Sequence, residues 1–215
     1  GALSAIGPDT EIASGSCAVG DEVLAFRVSG GYATSLTVPA GKVFAKPAVL
    51  DFSEAANLLL AGTTAADLLR VARVTNGDTI LLHAASGAAG VAVLQLARRV
   101  GARVIGTAGP AGLARVKRFG GIPVLYGEEL LTRIETAAPQ GISVALDAAG
   151  TDEAIDASLS LVYDRTRIVT IAAPARAADD GFVAIGGNQP ESMAFRDDIR
   201  AELVQLAERG ELVVP

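Results

Sequence analysis

The chain has 215 residues, half of them hydrophobic but only 4% aromatic, with no tryptophan and a formal net charge of −6. This length allows one large domain or one domain with part of a second, and the acidic balance argues against a nucleic-acid surface, which needs clustered Lys and Arg. A single cysteine, Cys17, and a single histidine, His83, exclude an internal disulfide, a cysteine-based zinc site and a His-pair metal site.

Residues 1–60 read as an incomplete, small β-rich domain. Gly7-Pro8 and Val19-Gly20-Asp21 are turn signals, Glu22–Phe26 and Tyr32–Val38 are short β-rich pieces, and Gly30-Gly31, Pro39 and Pro47 punctuate them. Ser53 can cap a helix through Glu54–Leu59, and a second helix is expected from about Thr64 to Val71. From Asp78 onward strands and helices alternate. The strands are Thr79–His83, Arg103–Thr107, Pro123–Tyr126, Ser143–Asp147, Arg167–Ala172 and Phe182–Ile185; helical patterns cover Ala88–Val100, Ala111–Phe119, Glu128–Thr136 and Asp152–Leu161. Such alternation predicts an α/β fold: a Rossmann-type, doubly wound, parallel six-stranded sheet over residues 61–188. Residues 189–215 hold an amphipathic helix near Arg196–Arg209, and Leu212–Pro215 reads as the start of a further strand. No apolar run reaches the roughly 18 residues of a membrane span, and no signal peptide is visible, so a cytoplasmic location is expected.

The chemistry concentrates in Asp78–Ala108. There an apolar strand meets the small-residue turn Ala84-Ala85-Ser86-Gly87-Ala88-Ala89-Gly90 and opens into a helix. Gly87 would let backbone approach a pyrophosphate, Gly90 would let the helix pack on the strand, and the free N–H groups of the helix start would face phosphate oxygens. The bland alternative is a tight strand–helix turn in an Ala-rich protein. The order and length of strand, turn, helix and second strand favour a dinucleotide. Counting 20 residues from Gly87, where an NAD site carries Asp or Glu, reaches Thr107 in Gly106-Thr107-Ala108-Gly109, and no acid is present. Arg115, Lys117 and Arg118 follow, which favours the 2′-phosphate of NADPH; the alternative is a solvated cationic helix face.

GDEV (20–23), Gly31-Tyr32-Ala33, EAANLLLAGTTAADLL (54–69), HAASGAAGVAVLQLA (83–97), VIGTAG (104–109) and LDAAG (146–150) occur in that order. Together they resemble the zinc-independent, zeta-crystallin-like quinone oxidoreductases of the medium-chain dehydrogenase/reductase superfamily, whose motifs enoyl reductases share. The resemblance implies that residues 1–60 are part of a GroES-like substrate domain. It places Thr64 beside the nicotinamide, Ser86, Gly87, Ala88, Ala89 and Gly90 at the pyrophosphate, and Gly106, Thr107 and Arg115 at the 2′-phosphate. Tyr126 falls at the adenine; Asp147, Gly150, Ala172, Ala173 and Pro174 fall near the nicotinamide half. Tyr126 and Asp147 can equally be plain strand-end residues.

Zinc relatives insert a four-cysteine lobe after the segment matching GDEV and carry a zinc-binding Cys four residues before the threonine; here LAFRVSGGYA follows directly and Leu60 stands in the ligand position. The family also has more chain before the point matching Gly1 and after Pro215, so a fragment is expected. The implied activity is NADPH-dependent, metal-free hydride transfer to a quinone or an α,β-unsaturated carbonyl. The alternatives are an enoyl-thioester reductase and a non-catalytic NADPH-binding module. No residue is assigned as catalytic, and His83 reads as a structural residue of the first strand. The expected partners are a small-molecule electron acceptor and a second copy joined through the edge of the sixth strand; neither nucleic acid nor a membrane is expected.

Overall fold

The computed structural model of the chain describes residues 1–214. In the first part, β1 (Val23–Ala25) pairs antiparallel with β2 (Val43–Ala45). The expected strand at Tyr32–Val38 does not form: Tyr32 and Leu36 are exposed, and the segment has neither a ladder partner nor an apolar face to bury. The two short helices expected near 54–59 and 64–71 are one helix, α1 (Phe52–Val71). Its cap is Asp51 rather than Ser53. The Asp51 carboxylate accepts from the Glu54 N–H at 2.8 Å, and the Glu54 carboxylate accepts from the Asp51 N–H at 3.0 Å, a reciprocal capping box.

The chain continues through β3 (Thr79–His83), α2 (Ala88–Arg99), β4 (Arg103–Ala108), α3 (Leu113–Arg118), β5 (Ile122–Leu125), α4 (Leu130–Ala137), β6 (Val144–Asp147), α5 (Asp152–Leu161), β7 (Ile168–Thr170), α6 (Pro174–Asp180) and β8 (Val183–Ala184). The six strands from β3 to β8 form one parallel sheet in the order β5-β4-β3-β6-β7-β8. The order reverses between β3 and β6, which opens a crevice beyond the carboxyl ends of those strands, where doubly wound folds bind ligands. α6 was not anticipated: Ala172–Pro174 leave the sheet, and Pro174 opens the helix at a position where a missing N–H costs nothing. The single amphipathic helix expected at 196–209 is two, α7 (Pro190–Asp198) and α8 (Arg200–Glu208), meeting at Ile199.

Strand alternation sorts the core. Ile80, Leu82, Val104, Leu146 and Val169 point to the face covered by α1, α2 and α8, where Leu58, Leu68, Leu94 and Leu203 are also buried. Leu81, Ile105, Ala145 and Ile168 point to the opposite face, against Ile134 of α4, Ile155 of α5 and Ala177 of α6. Residues 212–214 form no strand; Val213 instead pairs its backbone with the Gln95 side-chain amide, donating at 3.0 Å and accepting at 2.7 Å, and Pro215 lies outside the described residues.

The amino ends of the strands are tied by one residue. Asp78 accepts from the Ser143 hydroxyl at 2.7 Å, from the Thr75 N–H at 2.8 Å and from Arg167 Nη2 at 2.7 Å. Burial alone would push its carboxyl up, but Arg167, Thr75 and Ser143 together hold it down at about 2. Among the described residues no helix is long and apolar enough to cross a membrane.

Candidate functional site

β3 delivers the chain to the crevice at His83. Ala84 then adopts φ 56, a left-handed conformation unusual for a residue with a Cβ, and the turn closes with the Gly87 N–H donating to Ala84 O at 3.1 Å. The Ala85 N–H donates to Thr107 O at 3.0 Å, pinning the turn to β4. A Cβ on Gly90 would lie 2.5 Å from Ala84 O, so glycine there is dictated by the packing of α2 on the turn. Gly87 differs. Its φ is −75, and a Cβ would meet nothing nearer than Ala84 O at 3.4 Å, so the protein's own packing does not require glycine at this position. Gly87 is also the N-cap of α2, and no side chain caps the helix, which leaves its first-turn N–H groups facing the crevice.

Alternation along β4 decides what else faces the turn. Gly106 and Ala108 do: a Cβ on Gly106 would sit 2.7 Å from that of Ala85. Thr107 faces the other side of the sheet, where it is buried and its hydroxyl meets His83 Nδ1 at 3.0 Å. The Thr107 hydroxyl is thus turned away from the rim, whereas the resemblance implies a place for Thr107 at the 2′-phosphate. Past β4 the chain folds back over the turn. Gly112 lies so near Ser86 that a Cβ would come within 2.5 Å of its hydroxyl, and Arg115 Nη1 donates to Ser86 O at 3.1 Å. Tyr126, half exposed at the end of β5, brings its hydroxyl close to Gly109. Ser86, Gly87, Gly109, Arg115 and Tyr126 thus form one continuous rim.

The other half of the crevice is built on Asp147. This carboxylate is fully buried; Oδ1 accepts from the N–H groups of Ala149 (2.9 Å) and Gly150 (3.0 Å), and Oδ2 accepts from the Thr170 hydroxyl at 2.6 Å. The Thr170 hydroxyl in turn accepts from the N–H groups of Ala172 and Ala173, both at 3.0 Å. Asp147 is accordingly a brace shaping the ends of β6 and β7, not a side chain presented to the crevice; Gly150, Ala172, Ala173 and Pro174 are the residues it places there. His83 lies beside it on the same face. Ser158 donates its hydroxyl hydrogen to Ala154 O at 2.9 Å, so it accepts from His83 Nε2–H at 3.2 Å, and Nδ1 accepts from Thr107. The ring is neutral: burial pushes its pKa down to about 4, with Asp147 partly opposing.

Residues 88–189 match the family described as zinc-binding dehydrogenase. The chain is 34% identical over 155 residues to the quinone oxidoreductase of Rattus norvegicus, covering 65% of this chain and 47% of that protein. It is 33% identical over 156 residues to polyketide synthase GfsB of Streptomyces halstedii, covering 71% of this chain and 3% of that protein. Among solved structures, the CurK enoyl reductase superposes with a TM-score of 0.82 at 27% identity, over 100% of this chain and 68% of that one. A mycobacterial structure complexed with NADPH does so with a TM-score of 0.77 at 27% identity, over 99% and 70%. In sequence and in fold the chain thus resembles the medium-chain dehydrogenase/reductase superfamily. It spans less than half the length of these two curated relatives.

The resemblance leads to the expectation of Thr64 beside the nicotinamide. The structure buries it in α1, where its Oγ1 accepts from Arg196 Nη1 of α7 at 3.2 Å. Arg196 is buried as well and pairs with the fully buried Asp67 at 3.0 Å. Neither was anticipated, and no local pattern could have revealed them, since Arg196 lies 132 residues from Thr64. Gly112 was also missed, although a third glycine after Gly106 and Gly109 marked this loop as tight. Leu60, at the position of a zinc-binding Cys in the zinc-dependent members, is exposed on α1. Among the described residues no group of three or more His, Cys, Asp or Glu side chains could hold a metal ion.

Proposed function

We propose that the chain carries the NADPH site, and part of the acceptor cleft, of a metal-free oxidoreductase that delivers hydride to a quinone or an α,β-unsaturated carbonyl. The observation that carries this reading is the pairing of an uncapped α2 start at Gly87 with Arg115 tethered over Ser86. Anionic oxygens are favoured at a helix N-terminus, and the space above Gly87 is what close approach of a pyrophosphate requires. Arg115 supplies a fixed cation one turn of chain away, with no carboxylate at the end of β4 to repel a 2′-phosphate. The N–H groups of Ala88, Ala89 and Gly90 would hold the pyrophosphate, Arg115 the 2′-phosphate and Tyr126 the adenine side. Thr64, Gly150, Ala172 and Ala173 would border the nicotinamide. When bound, the reduced nicotinamide supplies the hydride; the protein orients it, excludes water and offers hydrogen-bond donors.

Metal-free chemistry is supported by Leu60, whose side chain offers no ligand atom, and by the sole histidine, whose ring nitrogens are both engaged behind the sheet. Pairing of two copies along β8, the strand at one end of the sheet, belongs to the same proposal. A second reading, reduction of an enoyl thioester, draws support from the likeness to the CurK enoyl reductase over the whole chain. Steady-state oxidation of NADPH by 1,4-benzoquinone and by crotonyl thioester separates the two. Faster turnover with the quinone is expected, preference for the thioester selects the second reading, and saturable binding without turnover leaves a non-catalytic module. Absence of NADPH binding overturns all three.

A further inference from the structure

α1 carries two adjacent threonines with opposite hydrogen-bond polarity. Thr63 behaves as helical threonines usually do: its hydroxyl donates to Leu59 O, four residues back, at 2.7 Å. Thr64 does not. Its oxygen accepts from Arg196 Nη1 at 3.2 Å, and among the described residues its hydroxyl hydrogen has no acceptor. A buried guanidinium is costly unless held, and this one is: Arg196 Nε donates to Asp67 Oδ2 at 3.0 Å. The other Asp67 oxygen accepts from Arg70 Nε at 3.1 Å and Nη2 at 2.8 Å, and Arg70 stacks on the Phe195 ring with its guanidinium carbon 4.8 Å from the centroid. The same Arg196 nitrogen lies 3.4 Å from where a Gly187 Cβ would stand. Gly187 follows β8, so the Thr64–Arg196 pair sits at the carboxyl end of the sheet.

Resting on the function proposed above, we propose that Arg196 is a positioning residue that makes Thr64 a hydrogen-bond donor to a carbonyl oxygen in the cleft. An arginine can only donate. By occupying a lone pair of Thr64 Oγ1 it turns the hydroxyl hydrogen away from Arg196, and its charge polarises the O–H bond and strengthens donation. Asp67 and Arg70 orient Arg196 and touch neither cofactor nor acceptor. The carbonyl belongs either to the nicotinamide carboxamide or to the acceptor; both present the same chemistry to Thr64.

The test is a double-mutant cycle on the protein with NADPH and 1,4-benzoquinone. One arm is Thr64→Val. The other is the paired change Asp67→Asn with Arg196→Met, which removes both buried charges so that neither is left alone. Each arm is expected to lower kcat/KM roughly tenfold, the scale of one lost hydrogen bond, and the combined variant to lose no more than the weaker arm. A merely structural Arg196 would multiply its loss with that of Thr64→Val, and that result overturns the proposal, as does full activity in the paired variant. If the paired variant does not fold, Arg196→Lys decides: it keeps a donor, so Thr64→Val in its background should match Thr64→Val alone, and a multiplied loss again overturns the proposal. A raised NADPH Kd in Thr64→Val assigns the carbonyl to the carboxamide; an unchanged Kd with a raised acceptor KM assigns it to the acceptor. If the unaltered protein fails to bind NADPH, the functional reading falls and this inference with it. Binding and turnover combined with multiplied losses overturn this inference alone.

Discussion

The two ends of the parallel sheet are built on opposite principles. At the amino end Asp78 ties three segments together: Thr75, Ser143 ahead of β6, and Arg167 ahead of β7. Its hydrogen-bonding capacity is satisfied within the protein. At the carboxyl end the backbone is held just as firmly, by Gly90 against Ala84 and by Asp147 beneath Gly150, yet the groups it presents are left open: an uncapped helix start, a free face above Gly87 and a tethered cation. The first arrangement gives stability without a site. The second uses rigid surroundings to hold unsatisfied donors, which is the preorganisation a ligand requires.

The largest effect should come from breaking the amino end. Asp78→Ala removes the carboxylate partner of Arg167 and the nearest acceptor of Ser143, leaving them only backbone carbonyls, and should cost about 3 kcal/mol in denaturant unfolding while NADPH affinity stays unchanged. A change in affinity comparable to the loss of stability would show that the two ends are not independent. In the intact protein this carboxyl, held below its unfolded value, contributes stability present above pH 4 and lost as pH falls toward 2.

Next in size is the effect of Gly90→Ala compared with Gly87→Ala. The first forces a methyl to 2.5 Å from a backbone oxygen and should destabilise by roughly 1–3 kcal/mol. The second makes only ordinary contact and should leave the unfolding midpoint within about 0.5 kcal/mol while weakening NADPH. Equal destabilisation by both would mean that the space above Gly87 is not free.

His83 sharpens the comparison through pH. Its folded pKa of about 4 lies below the ordinary value of 6.5, so between these the unfolded chain binds the extra proton. Stability should therefore fall as pH drops from 7 to 5, by at most about 1.4 kcal/mol per unit for one proton. His83→Leu should flatten that slope, and a slope unchanged in this variant would point to another group. The smallest effect is that of Arg115→Ala: roughly a tenfold loss of NADPH affinity, little change for NADH and no measurable change in stability, since the side chain is exposed.

What could be read from the chain alone follows the range of the interactions. The turn between β3 and α2, and the six-stranded sheet itself, rest on periodicities within some 15 residues, and these were legible. The inward turn of the Thr107 hydroxyl is a matter of which face of β4 a residue occupies, and neither the count from Gly87 nor the resemblance addressed it; the alternation of Val104, Gly106 and Ala108 carried that information. Pro174 was likewise readable as a helix start. The Asp67–Arg196–Thr64 cluster was not, because it joins α1 to α7 across the whole sheet domain and depends on the packing of both helices.

The most direct measurement is an NADPH titration of Gly87→Asp, paired with its unfolding curve. The carboxylate would stand in the free space at the start of α2, so the account predicts no saturable binding and an unfolding midpoint close to that of the unaltered protein. Retained NADPH affinity in a folded Gly87→Asp variant would contradict it.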